Sequence, residues 1–398
     1  MKLTKPQACR YLLKHQRLNP PGSVQGKEGI LDYIRTVGCI QFDPLDMVGC
    51  NPHLVLQSRV NGYKPAMLGE LLYQDRKLVD GFDKNLAIYP VEDWPCFERY
   101  RSGAKDWHGR DDGPFYAMLD VVRREITQRG PLSSSDLEAG EKVRWAWGAT
   151  NAARASLESM YFWGELVIHR KSGNRKFYDL AEHHIPAEIL CATDPHVTQQ
   201  EYYRWHVKRR VGSVGLLWEK AGDAWLGIHG GLKSTARAEA FAALYASGQL
   251  LKLEIEGVKF PFYIRSEDEQ TLEESLQSEE SANEMAFLAP LDNLIWDRKL
   301  IKELFGFNYT WEVYKRPHER QYGYYVLPVL YGNRFVARFE PRFNKKTRTL
   351  EILNWWWEEG IAKDGEMKQA IDQALERFTG YLGAVASLEP GKMVCPEH

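Results

Sequence analysis

Gln41-Phe42-Asp43 sets an amide and a carboxylate two residues apart, inside the run Gly38-Cys39-Ile40-Gln41-Phe42-Asp43-Pro44-Leu45. If the run is extended, Ile40 and Phe42 point to one side and Gln41 and Asp43 to the other, so the two polar groups share a face. A carboxylate can steady positive charge developing on carbon, orient a water and take its proton. A neighbouring amide, donor and acceptor at once, can position that water or the sugar. With an ordinary pKa of about 3.9, Asp43 is ionised at neutral pH without tuning. Pro44 disfavours helical geometry at Asp43 and offers no amide donor, while Gly38 can end a preceding helix. The plainer reading of any Gln-x-Asp is a half-buried strand whose polar residues meet solvent. The surroundings decide between the two.

Those surroundings repeat. Leu72-Tyr73 followed by Leu78, Met160-Tyr161 followed by Leu166, and Leu244-Tyr245 followed by Leu250 share one internal spacing, and each leads into a β-rich segment. They read as helix ends entering hairpins. In the second copy, 120–129 is expected as a helix, Gly130-Pro131-Leu132-Ser133 as a turn, a short helix from Ser135, and a third helix over 149–162. Strands 166–169 and 176–179 then join through Lys171-Ser172-Gly173-Asn174, a good turn sequence. Three helices and a hairpin make a winged helix. The third copy ends in a helix over 236–246 and strands 250–255 and 260–264 around Glu256-Gly257. The first has helices over 5–15, 27–37 and 65–73 and a wing over 78–89. Ile30, Leu31, Ile34 and Val37 form an apolar stripe, so the helix before the Gln-Phe-Asp run packs inward and fixes where that run begins. Winged helices read DNA but also serve as protein-interaction modules, so the repeat favours DNA without requiring it.

The expected class is α+β: three tandem winged-helix motifs scaffolded on a C-terminal antiparallel β-barrel. The boundaries are 1–100, 115–185 and 196–266, then an acidic, solvated linker over 267–284 and the barrel with a terminal helix over 285–398. Alternating runs over 312–314, 322–330, 334–339 and 349–356 supply its strands, with Gly332-Asn333 as a tight turn. Met367, Ile371, Ala374, Phe378 and Leu382 are the apolar stripe of the closing helix.

At 398 residues and a net charge of -2, the chain has no global basic signature. Setting aside the acidic stretch leaves a cationic remainder, including Arg334, Arg338, Arg342, Lys345, Lys346 and Arg348 interleaved with Phe335, Phe339 and Phe343. These are placed to meet phosphates or, singly, to guard a strand edge. No apolar run reaches the roughly 20 residues of a membrane helix and the start lacks a signal-peptide core, so a cytoplasmic protein is expected. Six scattered cysteines without Cys-x-x-Cys read as reduced thiols. His183-His184 is a poor chelate because neighbouring side chains usually diverge, and no Walker loop or metalloprotease motif is present. No metal and no cofactor are expected.

With these elements placed, the chain resembles the AlkZ/YcaQ family of bacterial DNA glycosylases. The resemblance rests on residues 37–45, on Asn51-Pro52 through Leu54-Val55-Leu56-Gln57-Ser58-Arg59, on Leu291-Asp292-Asn293-Leu294-Ile295-Trp296-Asp297-Arg298, and on Tyr322-Gly323-Tyr324-Tyr325-Val326-Leu327-Pro328. It implies Gln41 and Asp43 as catalytic residues. The Gln-apolar-Asp form is that of the YcaQ-like branch, associated with N7-alkylated purines and with unhooking interstrand crosslinks. The implied enzyme acts on double-stranded DNA at the nucleoid; its oligomeric state is open, with a monomer the default expectation. It leaves an abasic site and is monofunctional, because no lysine lies in the motif to form a Schiff base. Position alone offers Arg59, Asn151, Arg154, Arg170, Lys171, Lys176, Arg338 and Arg342 as DNA contacts. The alternative is a non-catalytic winged-helix DNA-binding regulator, in which Gln41 and Asp43 only shape a turn.

Overall fold

The computed structural model describes residues 1–108, 114–145, 148–277 and 283–388. The chain begins with β1 (Lys2–Leu3) and α1 (Lys5–His15). Thr4 starts that helix with a capping box: the Gln7 amide donates to the Thr4 hydroxyl, and the Thr4 amide donates to the Gln7 side chain. Helix α2 (Gly26–Val37) buries the expected stripe of Ile30, Leu31, Ile34 and Val37. It stops at Gly38, whose φ of +77° suits glycine, and a Cβ there would press on the Arg209 side chain at 3.1 Å. Next come β2 (Ile40–Gln41), α3 (Asn51–Gln57), α4 (Pro65–Tyr73), the hairpin of β3 (Leu78–Asp83) and β4 (Asn85–Pro90), and α5 (Glu98–His108). The sheet order is β2-β4-β3, with Gln41 opposite Ala87.

The second segment holds α6 (Pro114–Arg129), the hairpin strands β5 (Lys142–Trp145) and β6 (Gly148–Asn151), α7 (Ala152–Trp163), and a hairpin of β7 (Leu166–Ser172) and β8 (Arg175–Leu180). The short helix expected from Ser135 is absent. Asp136 instead accepts from the Ser133 amide and hydroxyl and closes a turn, and Ala149 belongs to a strand. The following helix starts later than expected, where Asn151 accepts from the Arg154 amide as its N-cap.

After α8 (Ala187–Leu190), the third segment has α9 (Gln199–Val214), α10 (Ser234–Ala246), β9 (Leu250–Ile255) and β10 (Phe262–Arg265). Strand β1 adds to it in parallel, pairing Lys2 with Glu254 and Leu3 with Ile255. Leu12 and Leu13 of α1 therefore share one apolar cluster with Val207, Leu253 and Phe262, across the expected segment boundaries. The acidic stretch is not a solvated linker throughout. Residues 269–277 form α11 (Glu269–Gln277), which packs on α1, buries Leu272 and Ser275, and pairs Glu274 with Lys14 at 2.9 Å.

The C-terminal region comprises β11 (Met285–Phe287), α12 (Arg298–Phe305), β12 (Leu327–Tyr331), β13 (Arg334–Asn344), β14 (Thr349–Trp357), α13 (Gly365–Leu382) and β15 (Ala386–Leu388). Its sheet runs β11-β12-β13-β14-β15 and stays open: among the described residues the outer strands do not pair, and the last joins in parallel. The expected closed antiparallel barrel is thus a five-stranded open sheet, covered by the Met367, Ile371, Ala374 and Phe378 stripe of α13. Residues 312–314 form no strand. Glu312 there accepts from the Gln321 and Tyr322 amides and closes a loop.

Candidate active site

Strand β2 carries Gln41 into the protein, and the Phe42 amide extends the pairing by donating to the Leu86 carbonyl at 2.8 Å. Ile40 faces the core and Gln41 faces the cleft described below, as alternation requires. Regular pairing ends there, so Phe42 also reaches the cleft, and the Lys171 ammonium sits 4.0 Å over its ring. Gln41 is 7% exposed, and its Oε1 is buried with no hydrogen-bond donor among the described residues. Asp43 is half-buried. One oxygen accepts from the Leu45 amide at 2.9 Å, and among the described residues the other has no protein donor. Burial raises the Asp43 carboxyl above the usual carboxylate value, and the Leu45 amide partly offsets this. The environment therefore tunes a group for which no tuning was expected.

Three side chains from other parts of the chain bond to this segment, and a buried ion pair joins the stretches that carry two of them. Asn51 donates to the Gln41 carbonyl at 2.8 Å while its own oxygen accepts from the Leu291 amide at 3.1 Å. Asn293 donates to the Cys39 carbonyl at 2.9 Å, and Arg209 to the Gly38 carbonyl at 2.8 Å. Arg59 grips Asp292 through two parallel bonds of 2.8 Å, both side chains being fully buried. The stretches 51–59 and 291–298 thus meet as the frame that holds Gln41 to Asp43. Arg59, expected on DNA, is instead locked in this ion pair and lies out of reach of any phosphate.

The cleft has a volume of about 640 Å³ and is lined by Gln41, Phe42, Asp43, Lys84, Tyr100, Trp296, Arg298, Trp311 and Tyr314, among others. Phe82 and Tyr100, also on its wall, stack at 4.9 Å. The Trp311 indole N–H is buried without an acceptor among the described residues, so a donor and the Gln41 acceptor, both unpaired there, belong to one cleft wall. Buried polar groups are normally satisfied, so these two are available to a polar group bound in the cleft. Lys84, Trp311 and Tyr314 were not singled out from the sequence; only the folding of the β3–β4 turn and of the 308–326 loop toward Gln41 reveals them.

The family signature described as DNA glycosylase AlkZ-like matches residues 34–381. The chain belongs to the AlkZ-like DNA glycosylase family. Streptomyces sahachiroi DNA glycosylase AlkZ has a similar fold, with a TM-score of 0.63 over 99% of this chain and 100% of that one, at 15% identity. The AlkZ-like assignment makes the protein a DNA glycosylase, a hydrolase of N-glycosyl bonds, with DNA as its substrate.

The other expected DNA contacts of this AlkZ-like enzyme are unequal. Arg338 is 3% exposed, pairs with Glu358 at 2.6 Å and lies 4.2 Å from the Tyr322 ring centroid, so it is a packing residue. Lys176 is half-buried with its ammonium 5.5 Å from the Tyr161 ring, and Asn151 spends its side chain on the helix cap. Lys171 pairs with Asp80 at 2.6 Å beside the motif. Arg154, Arg170 and Arg342 are exposed; the first pairs with Glu158 and the last with Glu351, while Arg170 lies 3.5 Å over the Phe177 ring.

His183 and His184, expected to diverge, both reach Asp179, at 3.1 and 2.8 Å. The ligand atoms of His169, Asp179 and His184 lie within 4.8 Å of one another, but an Arg76 guanidinium nitrogen lies 3.3 Å from His169 Nδ1 and opposes a cation there. No helix of the described residues is long and apolar enough to cross a membrane.

Proposed function

We propose that this glycosylase hydrolyses the N-glycosidic bond of N7-alkylated purines in double-stranded DNA, unhooks interstrand crosslinks built on such purines, and leaves an abasic site. The observation that carries this is the placement of the Gln41 amide and the Asp43 carboxylate on one open cleft. Alkylation at N7 already makes the base a cationic leaving group, so the enzyme's work falls on the sugar and the water. As the bond breaks, C1′ gains oxocarbenium character. Ionised Asp43 stabilises that charge and takes the proton of the attacking water, and Gln41, with its unpaired oxygen, positions the water or the deoxyribose. Water rather than an enzyme amine displaces the base, as in a monofunctional glycosylase. A bulky crosslink cannot enter a closed pocket, and an open cleft walled by aromatic rings suits it better.

In this reading the helices α4, α7 and α10, each followed by a hairpin, are the last helices of three winged-helix units that flank the duplex. The protein acts as a monomer at the nucleoid in the cytoplasm. The test is a duplex with one N7-methylguanine and another with an N7-linked crosslink, each followed by mild alkali. Lesion-dependent alkali-labile sites, lost in Asp43→Asn, support the proposal. Tight sequence-preferring binding with no base release would instead make the protein a regulator.

A further inference from the structure

We propose that the exposed ring of Tyr314 stacks on the N7-alkylated base and reads its positive charge, so that this residue tells a lesion from an undamaged purine. This rests on the excision reading above and assigns lesion recognition to a side chain outside the Gln-Phe-Asp motif.

Tyr314 lines the cleft that holds Gln41 and Asp43, on the loop that runs from α12 to β12. It is 83% exposed, unlike its chain neighbours. Val313 is buried, and buried Glu312 accepts from the Tyr322 amide and the Lys315 ammonium, so the loop is pinned next to the ring. The Trp311 ring meets that of Tyr314 nearly at right angles, with centroids 5.7 Å apart. That exposure leaves at least one face of the ring uncovered. Partial desolvation, then the Asp43 charge, raises the phenol pKa, so the ring stands within electrostatic reach of the carboxylate.

Other rings on the cleft are already occupied. The Lys171 ammonium covers Phe42 at 4.0 Å, that of Lys84 lies 5.5 Å from the Trp296 ring, and Phe82 and Tyr100 stack on each other at 4.9 Å. Among the described residues no protein cation covers Tyr314. Its free face therefore offers a site for a cation from outside.

Alkylation at N7 gives the purine a positive charge that an undamaged purine lacks. Any base gains from stacking on the phenol, but only the alkylated one gains the added attraction of a cation for the negative face of the ring. The charge lies on the base before the glycosidic bond breaks and passes to C1′ as it breaks. The attraction is thus stronger in the bound substrate than in the transition state, so it serves binding and does not speed the chemical step. The departing base is neutral, which loosens the hold on the product.

The experiment uses the full chain and matched duplexes carrying guanine or N7-methylguanine, the latter on a 2′-fluorinated sugar that resists excision because fluorine disfavours the oxocarbenium. The ratio of the two affinities is measured beside KM and kcat for base release from the unfluorinated lesion duplex. Wild type is expected to prefer the lesion duplex. Tyr314→Leu should lose at least about fivefold of that preference and raise KM by a similar factor, with kcat unchanged or higher, while Tyr314→Phe stays near wild type. An equal loss on both duplexes, a wild type without preference, a fall in kcat at constant KM, or a Tyr314→Phe as poor as Tyr314→Leu overturns the proposal. Base release by a wild type whose preference survives Tyr314→Leu sinks this recognition alone. A preference abolished by Tyr314→Leu, with no base release from any duplex, supports the stacking and sinks the excision reading.

Discussion

Asn51 ties Gln41 to Leu291: its amide nitrogen donates to the carbonyl of one while its oxygen accepts from the backbone of the other. The Gln41 segment and the C-terminal region therefore share one buried side chain that is 1% exposed. Asn51→Ala leaves a carbonyl and an amide unpaired, at about 1 to 3 kcal/mol each. Lower thermal stability is expected together with at least tenfold slower excision by the molecules that remain folded. Normal single-turnover rates in that variant would show that Gln41 does not depend on this tie.

Asp43→Asn keeps the size of the side chain and removes its charge. Excision of N7-methylguanine is expected to fall by about 10² to 10⁴, the usual loss for a positioned base, while duplex affinity stays near wild type. Single-turnover rates and a binding titration on the same duplex separate the two effects.

The pH profile follows from burial of Asp43. Its folded pKa is raised, so the protonated form is favoured in the native state, and ionising it as pH rises costs some stability. In the proposed mechanism catalysis has the opposite sign, since the ionised form is the one assigned the work. The acid limb of kcat/KM is expected to inflect above the ordinary carboxylate value of about 3.9. An unshifted limb in wild type would exclude Asp43 as the group titrating.

Arg59 and Asp292 give a prediction that separates framework from DNA contact. Breaking one partner of a fully buried pair is expected to cost about 3 to 5 kcal/mol, because the other charge is left uncompensated. Arg59→Met should therefore lower the melting temperature sharply, and the salt dependence of DNA binding by the folded fraction should not change. A lower salt slope with unchanged melting would return Arg59 to the DNA surface.

Arg170 tests the hairpin of β7 and β8 as a wing. It is exposed and without a carboxylate partner among the described residues, so Arg170→Ala is expected to weaken duplex binding for all sequences alike and lower the salt slope by about 1. An unchanged slope would place the duplex elsewhere.

Local patterns were readable from the chain where they were written in neighbouring residues. The α2 stripe, the stop at Gly38, the short strand at Gln41 and the hairpins after α4, α7 and α10 all follow from spacing and turn chemistry. What the sequence could not convey is partnership at a distance. Arg59 and Arg338 are cationic like any DNA contact, and only Asp292 and Glu358, far along the chain, make them internal. The acidic run around Glu269 looked solvated because its partner, the basic edge of α1, lies at the other end of the sequence. Tyr314 carried no signal at all, since its value depends on the cleft its loop folds toward.

The parallel pairing of Lys2 and Leu3 with Glu254 and Ile255, and the hold of Leu291 and Asn293 on the Gln41 segment, make the Gln41 site depend on residues from distant parts of the chain. That parallel pairing joins residues about 250 positions apart, so the sheet of the third segment is complete only when both stretches are folded together. A chain cut before Leu291 would keep the Gln-Phe-Asp run and lose the Asn293 bond and the Leu291 end of the Asn51 bridge that hold it in place.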